Sequence, residues 1–151
     1  DEAAGYLKER KRIFGNNRGT TSMEMRLLFD QGSYQKVIQQ CDSLTSSGES
    51  LRSGDLSLLA RANFKLNQLQ KSETILRQLK AVKDHNEDPC FHTALVYAFR
   101  HETDSAFAYL QMSFQKNEKG FKTLKIEPGL LELRKDPRYV KLYQDYGFDK
   151  Y

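Results

Sequence analysis

LSLLARANFKLNQLQKSETILRQL, running from Leu56 to Leu79, decides the fold. Leu56, Leu59, Ala60 and Phe64 recur at helical spacing. Asn67-Gln68 interrupts the pattern, and Leu69, Ser72, Ile75, Leu76 and Leu79 restart it. Two short amphipathic helices back to back are the reading. The same stretch can be laid over its flanks. A shift of thirty-five positions pairs Met25 with Ala60, Arg26 with Arg61, Phe29 with Phe64, Cys41 with Leu76 and Leu44 with Leu79. A shift of thirty-four pairs Ala60 with Ala94, Ser72 with Ala106 and Leu76 with Leu110. Recurrence at that period is the signature of stacked helix hairpins.

Working outward, Asp1 to Phe14 forms one helix, with Ala3, Leu7, Arg10 and Phe14 on a shared face and a basic side containing Lys8, Lys11 and Arg12. Gly15 to Gly19 breaks it. Thr21-Ser22-Met23-Glu24 fits a capping box, in which the first hydroxyl accepts an amide proton and the glutamate reaches back. Met25, Leu28 and Phe29 carry a helix to Asp30, Gln31-Gly32-Ser33 turns the chain, and Tyr34, Val37, Ile38, Cys41 and Leu44 stripe the next helix. Thr45 to Ser53 is a polar loop, and Lys80 to Glu87 a charged connector. Asp88-Pro89 is a cap followed by a first-turn proline, where the missing amide does no harm. Pro89 to Arg100 is apolar on more than one side, so it should touch a hairpin partner and something besides. A sixth helix of the array runs from Asp104 to about Lys116, closed by Gly120. Phe121 to Ile126 reads as extended. Pro128 opens a short helix, Asp136-Pro137 repeats the cap-plus-proline device, and Tyr139, Leu142, Tyr143 and Tyr146 line one face of the last helix.

At 151 residues, one domain with its own core is expected. Val, Ile and Thr are sparse and rarely alternate, which weighs against a sheet. No apolar run approaches the roughly 20 residues of a membrane span, so no membrane contact is expected from this segment, and a cytoplasmic setting is favoured. The chain opens on Asp1 rather than Met, which suggests a piece of a longer protein. Cys41 and Cys90 fall on core-facing positions and are read as small hydrophobes rather than a bridge. A formal charge of +4 weakly favours an acidic partner.

The paired helices, the two shifts and the small residues at helix crossings resemble tetratricopeptide repeats. The expected fold is therefore all-α: a superhelix of three hairpins with a C-terminal capping helix pair. The expected divisions are a lead-in at 1–17, repeats at about 18–52, 53–86 and 87–117, and a cap at 118–151. Ala60 and Ala94 fit the family's small crossing residue, and Met25 departs from it. Gly32 with Tyr34 matches the family's turn; Asn67 with Leu69 and His101 with Thr103 depart. The tail, with Glu127-Pro128, Leu130-Leu131, Leu133-Arg134, Asp136-Pro137-Arg138-Tyr139, Leu142 and Gly147-Phe148, resembles the closing segment of tetratricopeptide regions in bacterial multidomain regulators. The resemblance implies a sensory or docking module.

It also implies a groove lined by the first helix of each repeat. The family's groove positions fall on Ser22, Arg26, Phe29 and Asp30, on Ser57, Arg61, Phe64 and Lys65, and on Phe91, His92, Leu95 and Phe99. From these, Arg26, Phe29, Arg61, Phe64, Lys65, Phe91, His92 and Phe99 form the expected peptide-binding set. Guanidinium groups beside aromatic rings suit a protein or peptide segment with carboxylates and apolar anchors. The competing reading makes Phe29 and Phe64 packing residues and the arginines solvated. Replacing Arg26 and Arg61 with Glu is expected to weaken binding and leave melting unchanged. The carboxylate clamp of chaperone-binding relatives is not reproduced, since Ser22 and Ser57 occupy its polar positions.

Cys90 and His92, two apart on a helix, point in different directions, and with His85 and His101 they give no zinc spacing. No nucleophile elbow, phosphate-cradling glycine loop or HExxH occurs. Asp88, Asp104 and Asp136 are read as helix caps. No cofactor, metal or catalysis is expected. Nucleic-acid binding is the rival from another class, and it lacks base-reading residues repeated in every unit. A homodimer through Tyr139, Tyr143, Tyr146, Tyr151 and the two-sided fifth helix of the array is a third reading.

Overall fold

The computed structural model describes residues 2–147; Asp1, Phe148 and Tyr151, which enter the expectations above, lie outside them. All regular structure among the described residues is helical: α1 (Glu2–Phe14), α2 (Arg18–Asp30), α3 (Tyr34–Ser46), α4 (Ser53–Lys65), α5 (Leu69–Lys80), α6 (Pro89–Phe99), α7 (Thr103–Gln115) and α8 (Pro137–Asp145). Three 3-10 turns, Lys119–Thr123, Pro128–Leu130 and Glu132–Lys135, separate α7 from α8. No helix among the described residues is long and apolar enough to cross a membrane. The chain divides into two compact units, residues 1–77 and 78–151, with the division inside α5.

In the first unit α2 packs on α1, α3 and α4, and α3 packs on α4. Helix α2 starts three residues before the expected capping box. Asn17 is the cap: its side-chain oxygen accepts the amide protons of Gly19 and Thr20, while its own amide donates to the Thr20 hydroxyl. Asparagine serves as well as a hydroxyl there, and Thr21 is already helical. Glu24 instead forms a 2.8 Å ion pair with Lys11 of α1.

Three helix pairs close in the same way. Gly32, Asn67 and His101 each adopt a left-handed backbone, with φ of 74°, 58° and 61°. In each, the next residue's amide reaches back five positions: Ser33 to Leu28, Gln68 to Asn63, Glu102 to Tyr97. This satisfies carbonyls the helix end leaves open. The spacings are thirty-five and thirty-four, and the three turns share one geometry although only Gly32 is a glycine. The crossing residues keep the same register. Met25 and Val37, Ala60 and Ser72, and Ala94 and Ala106 are all fully buried. The Ser72 hydroxyl donates to the Ala60 carbonyl at 2.6 Å. Met25 stands where a small residue was expected, with its sulfur 3.7 Å from the Cys41 thiol, a site suited to a flexible thioether.

In the second unit α6 and α7 pack face to face and the 3-10 turns fold against them. Phe91, Ala94, Leu95, Ala98, Ala106, Phe107 and Leu110 share a core with Phe121, Leu124, Leu130, Leu133 and Tyr139. The closing segment therefore covers the second apolar side of α6. Residues 121–126 are not extended: Lys119–Thr123 winds into a 3-10 turn that delivers Phe121 and Leu124 to the core. Gly120 does not end α7 either. Asn117 does, with φ of 54°, and the Glu118 amide returns to the Ser113 carbonyl. Gly120 is required for contact instead, because a Cβ there would lie 2.5 Å from the Phe91 ring.

Two of the three expected aspartate caps are otherwise engaged. Asp136 does cap α8, accepting the Arg138 amide proton. Asp88 leaves the α6 amides and accepts the Lys119 amide proton at 2.7 Å. Asp104, inside the first turn of α7, receives Arg138 at 2.6 Å.

Candidate functional site

In the first unit, α2 and α4 carry five of the residues expected to line a groove. Arg26 is half-buried and lies 3.4 Å from Asp30, one turn on. Phe29 is buried and meets the Tyr34 ring edge-on at 5.3 Å between centroids. The guanidinium of Arg61 sits over the Phe29 ring, 4.7 Å from its centroid, and its Nε donates to the Ser57 carbonyl. Arg61 is 3% exposed. Arg61 and Phe29 thus form a packed pair inside the unit. A glutamate at position 61 would bury a carboxylate against that ring, so the expectation of unchanged melting does not hold for this half of the double substitution. Phe64 is half-buried, and Lys65 is exposed at the end of α4.

In the second unit, Phe91 is 2% exposed. It is fixed by Gly120 and is a core residue. His92 is half-buried, its ring edge-on to Phe91 at 5.8 Å. Phe99 is half-buried in the last turn of α6. The accessible members of the expected set are therefore Arg26, Phe64 and Lys65 in one unit, and His92 and Phe99 in the other.

Several polar groups outside the expected groove set are firmly engaged. Arg18 pairs with Asp55, whose carboxylate also accepts the Arg52 amide proton at the start of α4. Glu118, 7% exposed, caps α6: its two oxygens accept the amide protons of Cys90 and Phe91 at 3.0 and 2.7 Å. Arg138 reaches Asp104 and Asp136 and covers the Phe107 ring at 4.5 Å. The acidic pair holds its guanidinium charged, raising its pKa, and Arg138 in turn lowers the pKa of Asp136. Arg18 and Asp55 lie thirty-seven residues apart and Arg138 and Asp104 thirty-four, beyond the reach of any local motif.

Both cysteines are free thiols in the interior. Burial, reinforced by the Asp55 and Asp42 carboxylates, pushes the Cys41 thiol up to about 12. Burial and then the neighbouring Glu118 raise Cys90 as well. A thiol held protonated in this way is a poor nucleophile. No group of three His, Cys, Asp or Glu side chains able to hold a metal occurs among the described residues.

The geometry defines an all-helical protein made of paired, similarly closed helices. No protein-family model, curated protein or solved structure matches the chain.

Proposed function

We propose that the chain is a noncatalytic protein-binding module of the tetratricopeptide kind, with three hairpins and a C-terminal cap. One observation carries this reading: Gly32, Asn67 and His101 make the same left-handed turn at spacings of thirty-five and thirty-four, each beside a fully buried crossing pair. Equivalent hairpins stacked on one another present a row of first helices, which is how repeat arrays bind. In the first unit that row is α2 and α4. Arg26 and Lys65 supply positive charge there and Phe64 supplies an apolar contact. The partner is a peptide or protein segment carrying carboxylates and an apolar anchor. The anchors set affinity and the cations set register and encounter rate.

The test is a titration of the full chain against a panel of fluorescent acidic peptides, each with one Phe or Leu. Arg26→Glu with Lys65→Glu should weaken the best binder about tenfold or more, while Lys122→Glu in the other unit leaves it unchanged. Equal affinity for all variants would overturn the assignment. Steeply salt-dependent capture of single-stranded RNA, with no peptide binding, would replace it with nucleic-acid recognition.

A further inference from the structure

A partly enclosed cleft of about 650 Å³ lies in the second unit, between the connector after α5 and the turn after α7. Four lysines border it: Lys80 and Lys83 on the connector side, Lys116 and Lys119 on the other. No arginine is among the lining residues, and Val82 and Pro89 add apolar surface. Four carboxylates share the cleft, and each is engaged within the chain. Glu118 gives both oxygens to the Cys90 and Phe91 amides, and the positive end of α6 offsets its charge. Asp88 accepts the Lys119 amide proton, and Asp84 that of Asn86. Glu87 is half-buried and engaged too. Two of the lysines also have partners. Lys80 donates to the Tyr97 hydroxyl and lies over that ring, 4.9 Å from its centroid, and Lys116 meets the Cys90 thiol. Lys83 and Lys119 are exposed, and among the described residues neither forms an ion pair.

We propose that this cleft binds a small molecule with two or more linked phosphoryl groups, held by Lys83 from the connector and Lys119 from the opposite side. Charge, donor geometry and size support it. An ammonium is a compact point charge with three rotatable donors, which suits phosphoryl oxygens. A planar carboxylate is matched instead by the guanidinium fork, which the cleft lacks. Positive charge at a helix C-terminus accounts for Lys80 at the end of α5 and Lys116 at the end of α7 without any ligand. It does not account for the other two. Lys83 belongs to the connector, and Lys119 opens the 3-10 turn Lys119–Thr123. The hydrogen bond from the Lys119 amide to Asp88 fixes where that side chain leaves the backbone. The carboxylates that would otherwise neutralise these ammoniums are turned to backbone amides. The volume falls within the range of small-molecule sites, about 300–1,000 Å³. Two ammoniums from different segments call for an anion with charge at two points, which a linked phosphate chain supplies. The site lies wholly in the second unit and stands or falls independently of the α2/α4 surface.

The test titrates the whole chain with tripolyphosphate and with citrate at fixed ionic strength, followed by calorimetry and by the amide signals of the ¹⁵N-labelled protein. Tripolyphosphate should shift the signals of Lys83, Asp84 and Lys119 and raise the melting temperature. Citrate, a multivalent carboxylate, should bind at least about tenfold more weakly. Lys83→Gln with Lys119→Gln should weaken tripolyphosphate about tenfold or more. The helical signal should not change, because both positions are exposed. Lys122→Gln with Lys125→Gln removes the same charge outside the cleft and should leave the affinity as it was. Three results would overturn the proposal: equal weakening in the two double variants, citrate binding as tightly as tripolyphosphate, or no shift at Lys83 and Lys119. Capture of single-stranded RNA by a chain that ignores tripolyphosphate would also overturn it, assigning the lysines to a nucleic-acid backbone.

Discussion

Arg61 of α4 covers the face of Phe29 of α2, and the two side chains hold each other inside the unit. The contact combines a cation over a ring with burial of a long aliphatic stem. Arg61→Ala is expected to cost about 1–3 kcal/mol and to lower the melting temperature by several degrees. Arg26→Ala, in the register-equivalent position of α2 but half-exposed, should stay within about 0.5 kcal/mol. Thermal melts followed by circular dichroism compare the two, and equal losses would contradict the packed-pair assignment.

Glu118 caps a helix whose second residue, Cys90, lies twenty-eight residues before it. Glu118→Ala leaves the Cys90 and Phe91 amides without their acceptors, at about 1–3 kcal/mol. Glu118→Gln retains one acceptor oxygen and should lose roughly half as much. Urea unfolding gives the totals. Hydrogen exchange locates them, with the Cys90 and Phe91 amides expected to lose protection first.

Gly120 and Gly5 make a matched pair of tests. Gly120→Ala forces a methyl group against the root of the Phe91 ring, 2.7 Å from its Cγ, and should destabilise by about 1–3 kcal/mol. Gly5 lies in the interior of α1 with nothing near its missing Cβ. Gly5→Ala should therefore stabilise by about 0.5–1 kcal/mol. A chemical-denaturation midpoint moving up for one and down for the other is the expected result.

Cys41 sets a direction for alkaline stability. Its thiol ionises near 12 in the folded chain against an ordinary value of 9.0. Between those values the unfolded chain has released the proton that the folded chain retains. Its contribution is thus complete below pH 9.0 and is lost as the pH rises toward 12. The slope is at most about 1.4 kcal/mol per pH unit from this group. Cys41→Val should flatten the fall in stability over that window. In the unaltered chain, iodoacetamide at pH 8.5 should modify Cys41 only as fast as the unit opens.

The helices were legible because each pairs a 3.6-residue apolar stripe with a local stop. Met25 and Phe29 in α2, Val37, Cys41 and Leu44 in α3, and Ala94 and Leu95 in α6 are all buried as their spacing requires. Less legible were turns where Asn67, His101 and Asn117 take a conformation associated with glycine, since a side chain gives only a statistical hint of left-handed backbone. The Asp136 cap was legible from its place before Pro137, whereas Asn17, equally local, was passed over for Thr21. Caps were hidden when the acceptor arrives from another helix, as Glu118 does. The expected groove was read from one face of α4, whereas α4 is buried around most of its circumference, from Ser53 to Asn63. Helical spacing assigns residues to faces but does not count how many neighbours a helix will have.

At the end of the α6–α7 pair remote from His101, the chain is fastened twice. Glu118 grips the first amides of α6, and Asp88 grips the amide of Lys119. With the tight turn at the opposite end, the two helices form a buckle: neither can fray from its outer tip without undoing a bond held by the other. A protease cut between Arg100 and Glu102 should therefore leave two fragments that stay clasped and migrate together until denaturant is added.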